Sequence, residues 1–190
     1  TSLRTLANDR VVDSVTWQAR IALLDVMADL RQADEGLPIW NAWNGQSPTA
    51  DIGQRMLAVG ARLLSAAGRG SEAQDRLEGS PWPPGTSAEL DFVRLELAVD
   101  RLAREGKGGE AIEPLLAVLR DAHPPQWARR GETLVGRTLA AQGDTTSGLG
   151  LKHAAEHYFR AGKLDAAVEA YDQLAEQARQ THDREQAFDA

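Results

Sequence analysis

The chain has 190 residues, of which 42% are hydrophobic and 26% charged, a balance that supports a folded core and excludes a disordered polar chain. Twenty-one Lys and Arg against 28 Asp and Glu leave a net charge of −7, which argues against a duplex-binding surface and removes nucleic acid from the expected partners. Cysteine is absent, so disulfide frameworks, thiolate zinc sites and cysteine nucleophiles are excluded together, while the compartment stays open.

Taken in chain order, the first helix signal is Ser14, placed as an N-cap ahead of Trp17 and Gln18. The apolar stretch from Ile21 to Leu30 is broken by Asp25 and Asp29, and no run in the chain approaches the roughly 20 apolar residues of a bilayer span. Asn44 to Pro48 is a joint, where glycine and proline interrupt the helical pattern. Thr49 then caps a helix whose apolar residues Ile52, Met56, Val59, Gly60 and Leu63 keep one face. A second joint runs from Gly79 to Gly85, too short for a flexible linker and read as a tight connector. Thr86 and Glu89 have the spacing of a capping box, in which each side chain satisfies the other's free backbone N–H.

Pro114 falls where a further helix is expected, which calls for either a late helix start with proline in its first turn or a kink. Ala122 to Pro125 forms the third joint. At the end, Asp183 to Ala190 read as the opening of another helix. With Thr1 as the first residue, this leads to the expectation that the chain is a piece of a longer protein.

The most informative stretch is 151–175. Ala154 and Ala155 are small, Tyr158 is bulky, Gly162 marks a turn, and Ala167, Tyr171, Leu174 and Ala175 follow. Alanine at a helix crossing lets two backbones approach, and the larger residues fill the adjoining gaps, giving a tight antiparallel hairpin. The same spacing recurs at Ala61, Leu64, Gly68, Ala73 and Leu77, and at Val99, Leu102, Gly106, Ala111 and Leu115. It recurs with Asp at the turn in Met27, Leu30, Asp34, Ile39 and Trp43, and a first half appears at Gly136, Leu139 and Gly143. Turn positions 34, 68, 106 and 143 are then 34, 38 and 37 residues apart.

This pattern resembles the tetratricopeptide repeat, whose period is about 34 residues. The resemblance implies an all-α fold, a right-handed α-solenoid of antiparallel helix hairpins, as a single repeat domain over residues 1–190. From Gly143 to Gly162 is too short for a hairpin, so the helix from about 147 to 161 is either the second helix of the fourth unit or the first of a fifth.

His153, Glu156 and His157 have the written form of an inverted zinc-protease motif. Only 33 residues follow His157, and the motif sits inside the best repeat match, so solvated helix residues are expected rather than a metal site. Gly148 and Gly150 lack the strand and lysine of a phosphate loop. No catalytic residue, metal or cofactor is expected. Trp17, Trp40, Trp43, Trp82 and Trp127 are expected to plug seams between helices, with Trp82, flanked by prolines, the most exposed.

In the family that the chain resembles, first helices line a concave groove. Carried onto this sequence, the template puts Arg31, Arg55, Arg62, Arg104, Arg130, Arg137, Lys152 and Arg160 on or near that face, with Phe159 beside them and Glu96, Asp100 and Glu156 opposing. The implied function is a protein-interaction scaffold or adaptor whose basic groove takes an acidic segment of a protein or peptide. The alternatives are a self-assembling structural module and, last, a metal-dependent hydrolase. A clamp for chaperone C-termini is disfavoured, because Asn8, Asn41 and Asn44 lie outside the mapped positions.

Overall fold

The computed structural model describes residues 13–120, 125–142 and 149–188. Gly143, His123 and most of the joint Ala122 to Pro125 lie outside them. Among the described residues the chain is all-helical, with α1 (Ser14–Asp29), α2 (Ala33–Asn44), α3 (Ala50–Ala66), α4 (Gly70–Glu78) and α5 (Ala88–Arg104). A 3₁₀ turn (Gly108–Ala111) leads into α6 (Ile112–Arg120), followed by α7 (Pro125–Gln142), α8 (Leu149–Arg160) and α9 (Leu164–Phe188). None of these helices is long and apolar enough to cross a membrane. The chain divides into two compact units, Thr1–Leu97 and Ala98–Ala190, and the division falls inside α5.

In the first unit α3 is central, packing against α1, α2 and α4. Its Met56, Val59, Leu63 and Leu64 are fully buried, each contributing about 1.5–3 kcal/mol of apolar burial. They meet Trp17, Ile21, Leu24 and Met27 of α1, Leu37 and Trp40 of α2, and Leu77 of α4 in one continuous core. The closest approach is at Gly60. A Cβ there would lie 2.1 Å from the Trp40 ring, so only glycine lets the indole rest on the α3 backbone, where its Nε1–H donates to Met56 O at 2.7 Å.

The second unit has a core of smaller residues: Val99, Ala111, Leu115, Leu134, Val135, Leu151, Ala154, Ala155, Ala161, Ala167 and Ala170. α8 packs against both α7 and α9. The alanines where α8 meets α9 leave room for the two backbones to draw together.

Four turns share one construction. Arg31, Gly68, Gly106 and Gly162 have φ of 56°, 76°, 73° and 74°. In each, the next N–H donates back to a carbonyl near the end of the preceding helix, from Gln32 to Met27, Arg69 to Leu64, Lys107 to Leu102 and Lys163 to Tyr158. This six-to-one closure satisfies carbonyls that a helix end leaves orphaned. The turn after α8 is therefore of the kind that closes α1, α3 and α5.

The first of these turns corrects the expected register. It falls at Arg31, not Asp34, which lies in the first turn of α2. Leu30, expected in the core, is 63% exposed. Matched to Ala61, Leu64, Gly68, Ala73 and Leu77, the first unit reads Leu24, Met27, Arg31, Gly36 and Trp40, each three residues earlier than the sequence template places it. The turn residues at 31, 68 and 106 are 37 and 38 residues apart, closer to a constant period than the sequence alignment had them.

Helix starts show similar one-residue shifts. Asp13, not Ser14, caps α1, its carboxylate accepting from Thr16 N–H at 2.8 Å. Thr49 caps α3 as expected, accepting from Ile52 N–H at 3.3 Å. At α5 the Ser87 hydroxyl accepts from Leu90 N–H at 3.5 Å, and Glu89 pairs with Arg55 at 3.6 Å. Pro114 sits in the first turn of α6 after the 3₁₀ turn, the late start that proline permits. Residues 183–188 continue α9 rather than opening a new helix.

Candidate protein-binding surfaces

The arginines expected on the groove face are largely engaged with acids of their own unit. Arg62 of α3 bonds Asp25 and Asp29 of α1 and lies 3.7 Å from Glu96 of α5, its side chain only 11% exposed. Burial pushes its guanidinium down, but the fields of Glu96, Asp25 and Asp29 outweigh that and hold it above the usual arginine range. Arg55 donates to Gln18 at 2.6 Å and pairs with Glu89. In the second unit Arg137 bonds Asp100, and Arg160 lies 3.7 Å from Glu132 and 3.9 Å from Glu156.

These pairs follow the repeat. Gln18 and Arg55, Asp25 and Arg62, and Asp100 and Arg137 are each separated by 37 residues. Asp25, Arg62, Asp100 and Arg137 recur at 37- and 38-residue intervals on α1, α3, α5 and α7, and the sign alternates along them. The first two bonds link α1 to α3 and the third links α5 to α7, each within its unit.

The remaining mapped residues are scattered. Arg31 occupies the first left-handed turn and is exposed, and Arg104 donates to Asp100 O within its own helix. Arg130 is half-buried, Lys152 is exposed, and Phe159 is 66% exposed at the end of α8. Glu96, Asp100 and Glu156, read as opposing charges, are direct partners of Arg62, Arg137 and Arg160.

The histidine motif is drawn into a similar pairing. His157 Nδ1 lies against Glu132 Oε2 of α7, and His153 Nδ1 is 3.4 Å from Glu156. No group of three or more potential ligands with metal-binding geometry occurs among the described residues.

Trp17 and Trp40 are fully buried, and Trp43 packs half-buried against the same core. Arg20, itself buried, stacks 4.8 Å from the ring centres of both Trp17 and Trp43, and Arg76 lies over Trp40 at 5.0 Å. Burial lowers the Arg20 pKa from its usual value. Trp82 corrects the expectation of an exposed ring. Arg94 donates to its carbonyl at 2.6 Å and Ser80 hydroxyl bonds the same oxygen, and this ties the proline-rich connector down so that the indole packs over α3 at Gly53.

A run of open apolar residues lies on α9, outside the positions that the groove template mapped. Leu164, Val168 and Tyr171 of α9 are 57%, 58% and 47% exposed, and Phe159 lies just before the turn that starts this helix. Tyr171 is the equivalent of Trp40, Leu77 and Leu115, which are 1%, 3% and 0% exposed. The sequence carried that signal in the repeat register, but exposure depends on whether a following helix covers the position. No protein-family model, curated protein or solved structure matches the chain.

Proposed function

We propose that the chain is a protein-interaction module, an α-solenoid of antiparallel helix pairs of the tetratricopeptide type that offers open helix faces to a partner protein. The observation that carries this reading is the recurrence of one register. A buried small or aliphatic residue, a bulky one, a left-handed turn, a second buried small residue and a large anchor follow each other at 24, 27, 31, 36 and 40. They recur at 61–77, at 99–115 and at 155–171. Repeated helix pairs spread a core along a line and leave extended faces, a geometry suited to binding elongated partners.

The chemistry of the surface supports the same reading. His153 and His157 and most of the arginines mapped to the groove sit in ion pairs, which favours a partner on faces that stay open over one on the arginine-bearing face. An acidic partner segment would depend on the exposed cations Arg31, Arg104 and Lys152.

The test is affinity capture with the folded chain as bait and the heat-unfolded chain as control, followed by reconstitution with the purified partner. A defined complex of fixed stoichiometry with the folded chain alone is the expected result. Capture no better than with unfolded bait, or growth of the chain into concentration-dependent polymers without a partner, would overturn it.

A further inference from the structure

We infer that the exposed face of α9 is the docking site for an amphipathic helix of a partner protein, with a seam of small and aliphatic residues and a Lys- and Arg-rich flank. The inference rests on the interaction-module reading and adds the place and the chemistry of the partner.

The shape of the occupant follows from the repeat. In the first unit the anchor Trp40 is covered by the next first helix, α3, which offers Gly60 to the ring and a backbone carbonyl to its N–H. Tyr171 holds the same register position and is open. Leu164, Val168 and Tyr171 are spaced by four and three residues and form one stripe along α9, the footprint that a single packed helix covers. A small residue opposite Tyr171, in the role that Gly60 plays for Trp40, lets the two helices close.

The charge of the occupant follows from the neighbouring stripe. One residue on from each apolar position stand Asp165, Glu169 and Asp172, and Glu176 continues the row; all four are exposed. Among the described residues Asp165, Glu169 and Asp172 have no ion-pair partner, and Glu176 meets Arg179 at 3.2 Å. An open depression runs along this side, lined by Asp165, Val168, Glu169, Asp172, Gln173 and Glu176. Exposed pairs add little affinity each, but a row of one sign selects the opposite sign and speeds its arrival.

A second copy of the chain fits poorly. The exposed apolar residues Val15, Val26 and Leu30 on and just after α1 stand near Asp13, Asp25 and Asp29 in the chain, and α9 against α9 would oppose like charges.

The experiment titrates the full chain into two fluorescent synthetic helical peptides that share one Ala and Leu seam. One carries Lys and Arg on its flank and the other carries Glu. The basic peptide is expected to bind at least tenfold tighter than the acidic one, with affinity falling as salt rises. The pair Val168→Glu with Tyr171→Glu should weaken it at least tenfold. Neutralising Asp165, Glu169, Asp172 and Glu176 to Asn or Gln should weaken it about fivefold and flatten the salt dependence. All substituted side chains are exposed, and unchanged far-ultraviolet circular dichroism checks that the variants fold.

Equal binding of the two peptides, wild-type binding by either variant, or loss of peptide binding through self-association at rising chain concentration would each overturn the inference. If a captured natural partner binds the α9 variants as well as the wild type, the docking site is wrong while the interaction-module reading stands.

Discussion

Asp25 on α1 and Arg62 on α3 are bonded across 37 residues of chain, and Asp100 and Arg137 repeat that relationship at the same separation. The pairs act as rungs, one between α1 and α3 and the other between α5 and α7, and Arg62 is the more buried of the two arginines. Charge reversal at Arg62 would set a fourth carboxylate among Asp25, Asp29 and Glu96, so it tests the fold and not ligand binding.

Arg62→Ala is expected to destabilise the first unit by about 2 kcal/mol, less than a fully buried pair would cost because Asp29 is half exposed. A double-mutant cycle with Asp25→Ala should give a coupling of about 1 kcal/mol in urea unfolding. Additive single effects would show that the rung contributes nothing of its own.

Gly60→Ala is expected to cost at least about 2–3 kcal/mol. The new methyl overlaps the Trp40 ring and displaces its hydrogen bond to Met56 O. Gly45→Ala serves as control, since a Cβ there meets nothing within 4 Å. Thermal unfolding followed by tryptophan fluorescence compares the two, and equal melting temperatures would refute the packing argument.

Arg31 has φ of 56° where its three counterparts are glycines. A side chain in this left-handed conformation costs about 1 kcal/mol, so Arg31→Gly should stabilise the chain by about that amount and Gly68→Ala should destabilise it similarly. Opposite signs in denaturant unfolding are the expected outcome.

Acid should weaken the fold through two exposed carboxylates. The Thr16 backbone N–H and hydroxyl hold Asp13 below its usual value of 3.8, and the Arg69 and Arg76 guanidinium groups hold Glu72 below 4.5. The native state therefore binds fewer protons than the unfolded chain in this range. The stability these groups add is present above those usual values and is lost as pH falls through the lowered ones. Asp13→Asn, which keeps a capping oxygen, combined with Glu72→Gln should lessen the loss of stability between about pH 5 and pH 3. An unchanged pH profile would remove both groups from the account.

Much of the fold was legible in local chemistry. Gly68, Gly106 and Gly162 mark their turns because only glycine adopts that backbone without strain, and Thr49 and Pro114 act within one helical turn of their positions. The helical period, the small residues at Ala73, Ala111 and Ala167, and the 37- to 38-residue spacing around Gly68 and Gly106 are properties of the sequence alone.

What depended on contacts across the chain was decided only by the tertiary structure. The first unit settled three residues earlier than its template because burying Leu24, Met27 and Trp40 outweighed the strain of a left-handed arginine, a balance that no local rule contains. Arg62 and Arg137 looked free because their acids stand 37 residues away, and Trp82 looked exposed because its cover, at Gly53, lies on another helix. Tyr171 shows the converse. Its register matches three buried anchors, and it remains open because burial depends on a neighbouring helix that the residue itself cannot specify.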